Sequence, residues 1–176
     1  ATDLSAIEAA TSATVDASAI TTITGSAADI NTIYASSEFS GLGDEAVTIT
    51  DTGSVAASVL NTLNSNTTGL VTATSVATLT GTAAAINTLV GNEGDSGDKV
   101  NLDSDYVATL SDTTITATVL NAVDGNVPGA VNASTVATIT GSAADINTAY
   151  ASSGISGLGN ESLTVSGTLT VSQTNA

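Results

Sequence analysis

Four aspartates make the strongest case for chemistry in this chain: Asp95, Asp98, Asp103 and Asp105, set in the polar stretch from Gly91 to Asp105. Hard cations gather about six to eight oxygen ligands, so such a cluster is a calcium candidate. The spacing matches neither the helix-loop-helix calcium signature nor the Gly-Gly-x-Gly-x-Asp nonapeptide. A solvated acidic loop is the simpler reading. Lys99, in the same loop, is the only side-chain amine, and it reads as a solvated lysine rather than a nucleophile. Cysteine, methionine, tryptophan and histidine are absent. A disulfide framework and a thiolate metal site are therefore excluded, and the commonest general base is missing. Serine and threonine recur throughout, but a hydroxyl nucleophile needs a positioned base. We expect no catalytic residues, no enzyme activity, and no cofactor beyond the calcium those aspartates could take.

Charge narrows the partners. Seventeen acidic residues against one basic residue give a formal charge of −16 and a pI near 4.1. Nucleic acid and anionic membranes both call for a basic surface, so neither is an expected partner. No apolar run is long enough to cross a bilayer. With 41% hydrophobic and only 10% charged residues, the chain has enough apolar content to fold. Like charge also makes copies repel, so any self-association should respond to salt or divalent cations.

A repeated phrase organises everything else. Thr22-Ile23-Thr24-Gly25-Ser26-Ala27-Ala28-Asp29-Ile30-Asn31-Thr32 returns almost unchanged at Thr138–Thr148, with a looser copy at Thr78–Thr88. The anchors Ile30, Ile86 and Ile146 are spaced by 56 and 60 residues, as are Leu4, Leu60 and Leu120 between them. Each long repeat is thus two related half-units. Extra length in the second falls after Asn87, in the acidic stretch.

Each half-unit reads as short strands followed by one short helix. Runs such as Val47-Thr48-Ile49-Thr50 and Val76-Ala77-Thr78-Leu79-Thr80 alternate with period two and are rich in β-branched residues, as half-buried strands are. Ser26 with Asp29, and Ser142 with Asp145, form helix-start capping boxes; Thr82 and Thr116 supply simpler caps, Ala56 supplies none, and Asp3 is a possible cap for the first helix. Ala27, Ile30 and Ile33 make a narrow apolar stripe at helical spacing. Tyr34 and Tyr150 are expected as packing anchors with wet hydroxyls. Leu42 and Leu158 should pin the Gly-Leu-Gly loops to the core. The recurrent Asn31, Asn61, Asn87, Asn121 and Asn147 suit amide bonds between stacked units.

So short a helix is marginal alone, and one unit cannot bury its apolar side unaided. The expected fold is an α/β repeat: an αβ-solenoid whose coils hold short strands plus one short helix, in three double repeats of 56–60 residues. It should form a single domain over 1–176, with repeats at approximately 1–56, 57–116 and 117–176. The last copy stops before its helix, and neither end shows a polar capping repeat, which points to copies stacked head to tail or to an excerpt of a longer array.

The phrasing Ile-Thr-Gly-Ser-Ala-Ala-Asp-Ile-Asn-Thr, with Gly-Leu-Gly-Asn-Glu and Leu-Thr-Val-Ser after it, resembles the tandem repeats of very large secreted or cell-surface proteins of marine cyanobacteria. The resemblance implies an extracellular or cell-surface location and supplies no catalytic or binding residues. The expected function is structural: copies of the chain assembling head to tail into a filament, sheath or stalk. Two other readings stand beside it, an ice-binding threonine array and a calcium-dependent adhesin spacer.

Overall fold

The computed structural model describes residues 1–168. It is an α/β fold with six helices and parallel strands. Helix α1 (Thr2–Ala10) is followed by β1 (Val15–Asp16), β2 (Thr22–Gly25) and α2 (Ala27–Ala35). Next come β3 (Phe39–Ser40), β4 (Ala46–Ile49), β5 (Ser54–Ala56) and α3 (Ala57–Asn66). Strands β6 (Val71–Ala73) and β7 (Thr78–Gly81) lead to α4 (Ala83–Gly91). Strands β8 (Val100–Leu102), β9 (Val107–Leu110) and β10 (Thr114–Thr116) lead to α5 (Ala117–Asn126). The series closes with β11 (Val131–Asn132), β12 (Thr138–Ser142), α6 (Ala143–Ala151), β13 (Ile155–Ser156) and β14 (Ser162–Ser166).

Every pairing is parallel and joins a strand to one a unit further on. Val47 faces Val71, Leu79 faces Ala108, and Ile139 faces Leu163. The sheets run β2-β4-β6-β8, β5-β7-β9-β11-β13 and β10-β12-β14, with β1-β3 as a separate pair. Most partners lie 24 residues apart, and the separation rises to 29 where the acidic loop intervenes. The expected insertion is therefore the excursion between Asn92 and Val100. It leaves the sheet through paired bonds, Gly94 N–H to Val100 O at 3.1 Å and Val100 N–H to Asn92 O at 3.0 Å.

The half-units are not uniform pairs of strands and a helix, as the sequence suggested. Three strands precede α3 and α5, but two precede α2, α4 and α6 once α1 is passed. This alternation accounts for the uneven spacing of the helix anchors. Strand-turn segments of three residues, such as Ser54–Ala56, are too short to announce themselves by alternation.

The helices begin where their caps place them. The hydroxyls of Ser26, Thr82, Thr116 and Ser142 accept from the backbone N–H three residues on, at 3.1–3.3 Å, while Ala56 makes no such bond. Asp3 does not cap α1; Ala1 holds that position and Asp3 lies within the first turn, where its charge still suits the helix dipole. Ile30, Leu60, Ile86 and Leu120 are fully buried, as are Ile33, Leu63, Leu89 and Val123 one turn later. All of these but Ile33 belong to one hydrophobic cluster that also takes in the inward residues of the strands, such as Val47, Val71 and Ile139. Leu42 and Leu158 are half-buried against it, as their loops require.

Two carboxylates, unmarked by any motif, add a second cap across units. Asp51 accepts from Ala27 N–H at 2.8 Å, and Asp112 accepts from Ala83 N–H at 2.7 Å. Each sits in the connection one unit beyond the helix it serves, placing negative charge at that helix's amino end. Asp51→Ala is expected to lower stability by about 1 kcal/mol. Urea denaturation monitored by circular dichroism would measure it, and no loss would show the bond to be idle.

Candidate functional site

The acidic loop was the leading site in the sequence, and the structure spreads it out. Asp95 and Asp98 are exposed in the bend after α4, Asp103 is half-buried beside the end of β8, and Asp105 is exposed in the turn before β9. Among the described residues, no group of three or more acidic side chains comes together closely enough to hold a metal ion. Directly after Asp105 comes Tyr106, 1% exposed, whose hydroxyl has no hydrogen-bond partner among the described residues. Burial and the neighbouring Glu93 carboxylate push that phenol's pKa up.

A second feature recurs at matched places. The Tyr34 hydroxyl donates to Glu45 Oε2 at 2.8 Å, and Gly43 N–H donates to the same oxygen at 2.9 Å. Glu45 is fully buried. The half-buried Tyr34 hydroxyl is therefore clasped by a carboxylate, a partner the sequence reading did not assign to it. The same clasp is built 116 residues later, where Tyr150 donates to Glu161 and Gly159 N–H donates to Glu161 Oε2 at 2.8 Å. There it is open: Tyr150 is 39% exposed. The signal for Glu45 was present in the sequence, because both glutamates follow their tyrosines by eleven residues.

The clasps set a pH response. Burial first, then the facing glutamate, raises the Tyr34 phenol, and the same causes push Tyr150 up to about 12. A phenol that stays protonated in the folded state but ionises in the unfolded one makes the folded state bind more protons. Its stabilisation is complete below the ordinary value of 10 and is lost as pH climbs towards the folded value. All three tyrosines of the chain act in this direction. Stability is thus expected to fall as pH rises from about 10 to 12, with tyrosinate absorbance appearing together with unfolding. Tyrosinate forming freely in folded protein at pH 10 would contradict it. Glu161 behaves oppositely: burial alone would raise its carboxyl, but the Tyr150 hydroxyl and backbone amides hold it below the ordinary value, so its contribution fades in acid.

The recurrent asparagines bind one unit to the next. Asn31, Asn61 and Asn121 donate from Nδ2 to the carbonyls of Val59, Ala85 and Asp145 at 2.9–3.0 Å, each in the following helix. Asn66 and Asn126 add donations to Asn31 and Asn87. Asn147 is exposed on the far side of α6. It lies in an open groove with Ile146, Tyr150, Gly159, Glu161 and Leu163. Each lining residue has a repeat-mate 116 positions earlier: Ile30, Asn31, Tyr34, Gly43, Glu45 and Val47. Those earlier residues lie against α3 and the segment after it.

Exposure follows the same geometry. Of five exposed large apolar side chains among the described residues, four lie at the two ends of the row of helices: Ile7 on α1, and Tyr150, Leu163 and Val165 on the α6–β14 side. Ile7 is 46% exposed and its repeat-mate Leu63 is 0%; Leu163 is 48% exposed and Val47 is 0%.

No family model, curated protein or solved structure matches this chain.

Among the described residues β14 and β1 are edge strands, Leu163, Val165 and Ile7 are exposed, and Asn147 offers an amide donor at the place from which Asn31 binds the next helix. No described helix is long and apolar enough to cross a membrane.

Proposed function

We propose that this chain is a structural, non-enzymatic protein, an αβ-solenoid whose copies add head to tail into a filament, sheath or surface stalk outside the cell. One observation carries the reading: Ile7, Leu163 and Val165 are exposed at the two ends of the row of helices, while their repeat-mates Leu63, Val47 and Ile49 are at most 3% exposed in the interior. A contact between unlike faces that does not close on itself generates an open fibre. Exposed parallel strand edges favour such growth, because each presents unpaired N–H and C=O groups.

Opposing growth is the charge of −16 on every copy. Salt shortens the Debye length from about 10 Å at 0.1 M to about 3 Å at 1 M, which removes most of that repulsion. Purified protein should therefore give fibres in electron micrographs and fast-sedimenting species that increase with sodium chloride. A parallel series with calcium at matched ionic strength separates screening from specific metal binding. Dispersed monomers in every condition would overturn the proposal.

A second reading, ice binding, gains support from strand register. Thr114, Thr138 and Ser162 face one another across β10, β12 and β14, and Thr116, Thr140 and Thr164 form a second row. Thr24, Thr48 and Thr72 make a third row across β2, β4 and β6. Parallel strands set such hydroxyls about 4.8 Å apart in each row. Thermal hysteresis of the pure protein decides the matter, and none would remove this reading.

A further inference from the structure

We infer that the contact between copies is one defined joint: the α6–β14 face of one copy receives the Ala1–Asp16 segment of the next, β1 pairs with β14, and Ala13 restrains the fit. This inference rests on the head-to-tail reading above and specifies its interface.

Sheet topology supplies the first argument. The complete sheet is five-stranded, β5-β7-β9-β11-β13. By position in the repeat, β10, β12 and β14 correspond to β5, β7 and β9, while β1 and β3 correspond to β11 and β13. The three-stranded sheet and the separate β1-β3 pair are thus the two parts of another five-stranded sheet. Within the chain the equivalent seam pairs Val47 with Val71 and Thr48 with Thr72. Transposed to the joint, Leu163 pairs with Val15 of the incoming copy and Thr164 with its Asp16.

The groove supplies the second. Inside the chain, Asn31 Nδ2 donates to Val59 O, Thr67 Oγ1 donates to Glu45 O at 2.7 Å, and Thr68 N–H donates to Gly43 O at 2.9 Å. Asn147, Glu161 and Gly159 offer the same three groups on the open face. The incoming segment matches in kind, with Leu4, Ile7, Thr11 and Val15 standing for Leu60, Leu63, Thr67 and Val71. Its turn is already formed: Ala13 N–H donates to Thr11 Oγ1 at 3.1 Å, as Gly69 N–H donates to Thr67 Oγ1 at 3.0 Å.

One methyl group breaks the match. A Cβ at Gly69 would lie 2.3 Å from the Glu45 carbonyl oxygen, and one at Gly129 would lie 2.7 Å from that of Tyr106. Both internal seams therefore use glycine because backbone passes against backbone. The incoming copy brings Ala13 to this place, where its methyl meets the Glu161 carbonyl. The joint must open slightly, which weakens each addition and holds growth in check. Removing that overlap with Ala13→Gly should lower the concentration needed for assembly about tenfold.

The chain has no cysteine, so an introduced pair reports the joint cleanly. Asp16→Cys with Thr164→Cys places two exposed thiols on directly paired strands, at a separation that suits a disulfide. Mild oxidation at assembling salt should give a ladder of covalent multimers in the double variant. Each single variant should stop at dimers, and an Asp16→Asn/Thr164→Ser protein should give no covalent product. Ala13→Gly should produce the same ladder at lower protein concentration. Fibres in micrographs without a ladder would overturn this joint and leave head-to-tail assembly standing. Monomers alone in every condition would overturn both. A ladder indifferent to Ala13→Gly would refute the restraint assigned to that methyl.

Discussion

Leu63→Ala is expected to lower the unfolding free energy by about 2–5 kcal/mol, whereas Ile7→Ala at the matching place of the first helix should cost less than about 1 kcal/mol. Leu63 is 0% exposed in the hydrophobic cluster, on a helix packed against α2, α4, β5 and β7; Ile7 is 46% exposed on α1. Truncating a buried leucine loses its transfer free energy and leaves a cavity that close-packed neighbours fill only in part. At Ile7 water already reaches the side chain, so little is lost and no cavity forms. Urea denaturation of the two variants in low salt, where charge repulsion between copies is least screened, makes the comparison direct. Equal losses would mean that α1 is covered in solution by something other than a second copy, or that the units do not share a continuous core.

That contrast also bears on what the sequence made legible. The parallel α/β repeat could be read because its signals are local and recur. Ser26, Thr82, Thr116 and Ser142 announce helix starts, and Ile30, Leu60, Ile86, Leu120 and Ile146 mark one buried position in successive helices. Copies at three places turn a weak propensity into a strong one. Register could not be read in the same way. Whether two or three strands precede a helix depends on which neighbour a three-residue segment such as Thr114–Thr116 pairs with, and that choice is made between units.

The site followed the same division. Residues that look reactive by type, Asp95, Asp98, Asp103 and Asp105, are set apart by the loop that carries them, because adjacency in sequence does not converge side chains on a point. Glu45 reads as an ordinary loop acid, yet its backbone is enclosed by Thr67 and Gly69 from the next unit and its carboxylate by Tyr34. Asp51 and Asp112 are equally plain in sequence; their role depends on a helix lying one unit earlier in the chain. Long-range closure, not residue type, selects the carboxylates that matter structurally.

Glu45→Ala is accordingly expected to destabilise the chain by about 2–4 kcal/mol, and Glu161→Ala by less than about 1 kcal/mol, although the two glutamates make the same bonds. At Glu45 the substitution takes the acceptor from the half-buried Tyr34 hydroxyl and Gly43 N–H, and it empties the volume of a fully buried side chain. A buried donor left without an acceptor costs its full desolvation penalty. Glu45→Gln keeps one acceptor oxygen on Tyr34 and should recover roughly half of the loss. At Glu161, water replaces the carboxylate at once, since Tyr150 is 39% exposed. Assembly should change that ranking. A docked second copy would enclose Glu161 as Thr67 and Gly69 enclose Glu45, so Glu161→Ala, mild in the monomer, should sharply raise the salt needed for fibres to appear. Sedimentation of both variants across a salt series reads the two effects separately. An unchanged fibre threshold for Glu161→Ala would show that the Tyr150 clasp stays open to water in the assembled state, and the correspondence between the internal and external faces would fail at that residue.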